Sequence, residues 1–141
     1  MKIYLAGVEQ SDSYDLVRAG KIENAFLSYY YLRGKSKPEL MKFFRDNIKS
    51  IIVDSGAHTF FSETESMKVT AQVRKKTKTK DSPEDFFQGF KRWLIEYSKY
   101  IDYYAELDIG ELVGQDTVVK WREELKEASV YNKCITVYHP S

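Results

Sequence analysis

Residues 51–61 read IIVDSGAHTFF, an apolar, β-branched run that stops at an acid, a serine and a glycine. The run predicts a buried strand from Ser50 to Val53, followed by a turn. An acid directly after a buried strand, here Asp54, has few solvent contacts, so its surroundings can set its orientation and pKa. Gly56 lets the backbone turn sharply or approach a ligand closely, and Ser55 can donate a hydrogen bond to a flat base or an anion. Chemistry alone leaves open whether this is a binding site or an ordinary turn.

Strand-like and helix-like segments alternate on both sides of this stretch. The predicted strands are Lys2–Ala6, Phe26–Leu32, Ser50–Val53, Ile101–Leu107 and Cys134–Tyr138. The predicted helices are Ser11–Ala19, Pro38–Asn47, Pro83–Tyr97 with Ser82 as its cap, and Thr117–Ala128 with Asp116 as its cap. This alternation predicts βαβ units and a parallel sheet within one α/β domain over residues 1–141. Five strands would form part of a TIM-type (β/α)8 barrel, and the alternative is a five-stranded doubly wound sheet.

Titratable residues follow three of the predicted strands. Parallel α/β folds place their sites at the carboxyl ends of strands, which favours Asp54, Glu106, Asp108 and His139 as site residues. Glu106 and Asp108 lie two positions apart, so on a strand they would point to the same side. Carboxylates accept hydrogen bonds from the N–H groups of a guanine-like ring. The alternative for Glu106 is an ion pair with a neighbouring lysine.

A polar stretch at about residues 62–81 shows no helical or strand period and predicts a loop. Five of seven consecutive positions in it are basic: Arg74, Lys75, Lys76, Lys78 and Lys80. We expect this loop on the site face, where it would contact the phosphates of a nucleic acid. The alternative is a solvated charged loop, and the net charge of +1 gives no independent indication of a polyanionic partner.

The composition excludes several classes of protein. With 43% hydrophobic and 15% aromatic residues, the chain can form a sizeable core. The single cysteine, Cys134, cannot form an internal disulfide, and no Cys/His cluster has zinc spacing. The sequence contains no Gly-rich phosphate loop and no apolar run long enough for a signal peptide or a membrane span. We therefore expect a soluble, cytoplasmic protein.

Two of these segments resemble one enzyme family. The segment VDSGAHTFF resembles the Asp-Ser-Gly-Gly-Phe-Gln segment of the tRNA-guanine transglycosylases, which include queuine- and archaeosine-type enzymes and relatives that act on phage DNA. The segment YYAELDIG is similar to the later strand of that family that ends in a base-recognising Asp. The resemblance implies that Asp54 is catalytic, that Asp108 recognises the base, and that His139 stands where the family has a polar base contact. Ala57, His58 and Thr59 depart from the family pattern.

The resemblance implies exchange of a guanine-type base in tRNA or DNA, as in queuosine-type tRNA modification. Ser55, Gly56 and Glu106 would be further substrate contacts. In the family, the covalent Asp nucleophile and the zinc-binding cluster lie downstream, so both would fall beyond Ser141, and no cofactor is expected within residues 1–141. The alternatives are a non-catalytic nucleotide- or nucleic-acid-binding module and a small N-glycoside hydrolase. The strand edges of an incomplete barrel favour self-association.

Overall fold

The computed structural model describes residues 3–57, 59, 60, 62 and 82–136. At its centre is a five-stranded sheet in which neighbouring strands are parallel and the strand order follows the chain. The strands are β1 (Leu5–Ala6), β2 (Asn24–Ser28), β3 (Ser50–Asp54), β4 (Tyr103–Ala105) and β5 (Cys134–Ile135). The prediction of an α/β fold with a parallel sheet is confirmed. A closed barrel is not shown, and the open sheet is consistent with the doubly wound alternative.

Six α-helices accompany these strands in the described part of the chain. They are α1 (Tyr14–Arg18), α2 (Tyr29–Leu32), α3 (Pro38–Asn47), α4 (Pro83–Tyr97), α5 (Gly110–Val113) and α6 (Gln115–Glu127). The four predicted helices are confirmed, although α6 begins after Gly114 and ahead of the predicted cap, Asp116. Within the described ranges, none of the helices is both long enough and apolar enough to cross a membrane.

The predicted strand Phe26–Leu32 was wrong in its second half. Strand β2 ends at Ser28, and the following tyrosines form the helical turn α2. The cause is packing, since the Tyr29 ring is buried with its centroid 4.8 Å from that of Phe90 and 5.4 Å from that of Phe86. Burial against these α4 rings outweighs the preference of tyrosine for strands. The three tyrosines therefore do not alternate across the sheet.

Ring contacts join two pairs of helices. Tyr14 of α1 packs edge-on against Phe44 of α3, with ring centroids 5.8 Å apart. Phe87 of α4 stacks on Trp121 of α6 at 4.6 Å. Alternate strand residues are buried in the same core as these rings: Ala25, Leu27, Ile51, Val53 and Tyr104. The helix layer therefore packs on one face of the sheet.

The residues of the other strand face are less covered by the described part of the chain. Phe26, Ile52 and Tyr103 are register partners in a row across β2, β3 and β4. Tyr103 is 52% exposed, and Phe26 and Ile52 are half-buried. Large apolar side chains thus line a sheet face that the described helices leave partly open to solvent.

Replacing Ser82 by alanine should lower the free energy of unfolding by about 1 kcal/mol, the usual contribution of a side-chain cap. The Ser82 hydroxyl accepts a hydrogen bond from the Asp85 amide at 3.1 Å, so α4 begins with a capped N-terminus as predicted. Urea unfolding of Ser82→Ala measures the effect. Ser13→Ala is the matched control, because Ser13 precedes α1 without a side-chain cap. Equal losses in the two variants would contradict the prediction.

Candidate functional site

The two segments that carry the family resemblance lie at the carboxyl ends of neighbouring parallel strands. Asp54 is the last residue of β3, and Glu106 to Asp108 follow β4 directly. The Ser55 hydroxyl donates a hydrogen bond to the main-chain oxygen of Glu106 at 3.0 Å, and both residues are buried. This bond fixes the turn after β3 against the turn after β4, so the two segments form one local structure.

Gly56 packs against the residues that follow β2, so the end of a third strand lies next to the ends of β3 and β4. Its φ is +83°, in the region that favours glycine, and its main-chain oxygen accepts a hydrogen bond from the Phe60 amide. A Cβ on Gly56 would lie 2.6 Å from the Cβ of Tyr30, which belongs to α2 immediately after β2. The close approach of the Gly56 backbone is therefore to the protein itself, and its approach to a ligand stays a prediction.

The Glu106 carboxylate is held in an ion pair beneath the site. It is 3% exposed and accepts two hydrogen bonds from Arg122 of α6, at 2.7 Å from Nε and 2.8 Å from Nη2. The hydrogen bond to Glu106 raises the pKa of the Arg122 guanidinium. Because β4 ends at Ala105, strand alternation does not extend to Glu106, and Leu107 beside it is also buried. The cation is an arginine on a helix instead of the neighbouring lysine that the alternative interpretation expected.

Asp54 and Asp108 are both half-buried at this end of the sheet. Asp54 is the register partner of Ser28, the last residue of β2. The predicted roles of the two acids in catalysis and base recognition stay predictions, as does substrate contact by Glu106.

The remaining predicted site residues fall outside the described ranges. These are His139 and the basic residues Arg74, Lys75, Lys76, Lys78 and Lys80. The fifth predicted strand is confirmed at Cys134–Ile135, and its last two residues also fall outside. Among the residues that the structure describes, no group of three or more His, Cys, Asp or Glu side chains could hold a metal ion.

Sequence reasoning missed Glu9, a buried acid at the carboxyl end of β1. The residue is 3% exposed, and its own amide and the Ser28 amide lie near its carboxyl group. Burial raises the pKa of the Glu9 carboxyl, against the opposing effects of these amides and of the Lys35 charge. The rule that selected Asp54 also applies to the run KIYLAGVEQ, so the signal was present in the sequence.

Cys134 of β5 is not an activated nucleophile. Burial raises the pKa of its thiol to about 11, and the nearby Glu106 carboxylate adds to the shift. At neutral pH the sulfur therefore stays protonated, whereas a nucleophilic cysteine needs the thiolate.

A separate open pocket of about 480 Å³ lies at the opposite, amino-terminal end of the strands, between Ile3, Lys21, Asn24 and Lys49. Parallel sheets place their sites at the carboxyl ends, so the pocket is remote from the expected chemistry. We assign it no role.

No protein-family model matches this chain, and no curated protein and no solved structure matches it. The family resemblance therefore depends on the motifs quoted above and stays a prediction.

Proposed function

We propose that this chain binds a guanine-type base at the carboxyl ends of β3 and β4 and takes part in exchanging that base in tRNA or DNA. The observation that carries the proposal is the buried hydrogen bond from Ser55 to Glu106, which joins the two motif segments. Neighbouring strands lie about 5 Å apart, so in this proposal Asp54 and the turn that holds Asp108 contact one small ligand.

The chemistry of base exchange accounts for the residue types. A glycosidic bond breaks through a cation-like sugar, and a nearby carboxylate stabilises the charge that develops on it. In this proposal Asp54 is the acid nearest the sugar, and Asp108 accepts hydrogen bonds from the N–H edge of the base. A further acid, from a downstream segment or a partner chain, would complete the catalytic set. The basic residues from Arg74 to Lys80 would contact the phosphates of the polymer.

The strand order supports a partial barrel as the architecture around this site. Crossovers between parallel strands are almost always right-handed, so strands in sequential order place their helices on one face. A doubly wound sheet usually contains a reversal of strand order, which carries helices to both faces. The order β1 to β5 has no reversal, and ring contacts join α1 to α3 and α4 to α6. The face with Phe26, Ile52 and Tyr103 would then be the barrel interior.

Base exchange with labelled guanine tests the proposal directly. We expect the wild-type chain, together with the downstream segment or partner chain that supplies the further acid, to incorporate labelled guanine into tRNA or DNA, and Asp54→Asn to lower the rate about a hundred-fold, as loss of a catalytic carboxylate does. Asp46→Asn is the matched control, because Asp46 forms only an exposed ion pair with Lys42 on α3 and should leave the rate unchanged.

The other outcomes identify the alternatives. Exchange at the wild-type rate by Asp54→Asn would refute the role of Asp54. Guanine binding without exchange would identify a binding module, and release of free base without incorporation would identify a hydrolase.

A further inference from the structure

Glu9 lies where the chain turns after β1, next to the strand ends that form the candidate site. The turn is closed by a hydrogen bond from the Gln10 amide to the Gly7 carbonyl at 3.2 Å, and Gly7 has a φ of +79°. The Glu9 carboxyl group lies near the amide of Ser28, whose register partner on β3 is Asp54. The carboxyl group of Glu9 therefore lies beside the end of β2, one strand away from Asp54.

Hydrogen bonds hold the main chain of Glu9, whereas one oxygen of its carboxyl group has no hydrogen-bond partner among the described residues. Its main-chain carbonyl accepts hydrogen bonds from the Lys35 ammonium and, at 3.4 Å, from the Tyr14 hydroxyl. Its carboxyl group is buried, and Oε2 has no hydrogen-bond partner among the described residues. A buried polar atom without a partner costs about 1–3 kcal/mol, so such an atom in a strand-end site is a candidate for contact with a ligand.

We propose that Glu9 is a further binding residue of the candidate site, with Oε2 as the donor of a hydrogen bond to a carbonyl oxygen of the bound base. This inference rests on the proposed function and adds a donor to it. A carboxylic acid has an O–H group that can donate a hydrogen bond. A guanine-type base presents N–H donors and a carbonyl acceptor, which Asp108 and Glu9 would recognise separately.

The surroundings of Glu9 favour its protonated form. Burial raises the pKa of the carboxyl, while Lys35, on the loop after α2, opposes the shift more weakly. Tyr14 of α1 is the other titratable group that faces Glu9, and burial together with the Glu9 charge raises the pKa of its hydroxyl. A neutral acid that donates to a neutral acceptor also avoids burying an unpaired charge.

Base binding to three forms of the full chain tests the inference by calorimetry, with guanine and with 2-aminopurine, which lacks the carbonyl. Glu9→Gln keeps the size and the donor but cannot ionise, so its guanine affinity should match wild type at low pH and stay constant as pH rises. Wild-type affinity should fall as Glu9 ionises. Glu9→Leu should bind guanine roughly tenfold more weakly, with 2-aminopurine affinity unchanged. Glu23→Gln, an exposed acid at the other end of β2, is the control.

A ligand-free measurement checks the protonation state. Because the folded-state pKa of Glu9 is raised, the stability it contributes is fully present below the ordinary value of 4.5 and is lost as pH rises through the folded pKa. Wild type should therefore lose unfolding free energy relative to Glu9→Gln over that pH range. If Glu9→Leu does not fold, the inference is tested by this comparison of unfolding free energies and by the pH dependence of guanine binding to Glu9→Gln.

The failures are distinguishable. If wild type binds neither base, the proposed function fails and the inference fails with it. If wild type binds guanine but the Glu9 variants bind it equally at every pH, the inference alone is overturned. Loss of guanine binding in Glu9→Gln also overturns it, because that result would require an ionised carboxylate.

Discussion

Gly56→Ala should lower the free energy of unfolding by about 2–5 kcal/mol, the sum of a left-handed backbone and an overpacked contact. The backbone term, about 1–2 kcal/mol, arises because the φ of +83° is one that alanine rarely adopts. The packing term, about 1–3 kcal/mol, arises because the new Cβ would lie 2.6 Å from the Tyr30 Cβ and 3.3 Å from its backbone nitrogen. Those atoms cannot rotate away as a flexible side chain can. Urea unfolding measures the loss.

Alanine substitutions at two other glycines separate the backbone cost from the packing cost. Gly20 has a φ of +69°, but a Cβ added there would meet nothing within 4 Å, so Gly20→Ala should show only the backbone cost. Gly34 has neither a positive φ nor a close neighbour, so Gly34→Ala should be neutral or slightly stabilising. A Gly56→Ala loss no larger than that of Gly20→Ala would contradict the close approach to Tyr30.

Arg122→Met should lower the free energy of unfolding by about 3–5 kcal/mol, the usual cost of removing one partner from a buried ion pair. Glu106 is 3% exposed, and both of its carboxylate oxygens accept hydrogen bonds from the guanidinium. Methionine fills much of the arginine volume but leaves the carboxylate buried without its cation. The loss should also weaken the site, because the main-chain oxygen of Glu106 holds Ser55.

A double variant shows whether the cost comes from the remaining charge. Glu106→Leu combined with Arg122→Met removes both partners and should recover much of the stability. Lys126→Met is the surface control, because its ion pair with Glu123 is exposed and should contribute no more than about 1 kcal/mol. An Arg122→Met loss equal to that of Lys126→Met would show that the buried pair contributes little.

Local chemistry was enough to predict most of the elements. Helix α4 (Pro83–Tyr97) could be predicted from local sequence alone. A capping serine comes before a proline and two acids in the first turn, and apolar residues of helical period follow. Strand β3 could be predicted because a run of β-branched residues ends at a turn sequence. The rule that sites lie at the carboxyl ends of parallel strands then grouped Asp54 with the turn that contains Asp108.

The features that the sequence did not predict all depend on contacts between residues that are distant in the chain. Tyr29 is helical because rings some 60 positions later in the chain bury it, which local strand preference cannot reveal. The orientation of Glu106 depends on Arg122, which lies on the next long helix. Glu9 is buried partly because β1 pairs with β2, and only tertiary structure shows that Oε2 lacks a partner in the described chain.

The sequential strand order also has a consequence for how the molecule assembles. Each strand pairs with the strand synthesised just before it, so β1, β2 and β3 can come together while later segments are still being made. The connections from β1 to β2 and from β2 to β3 are shorter than the one from β3 to β4, so closing them costs less chain entropy. The rings that bury Tyr29 belong to α4. The Tyr29 ring therefore stays exposed to solvent in the nascent sheet until residues 83–97 have been synthesised. Docking of α4 is then the step that makes the early sheet resistant to opening.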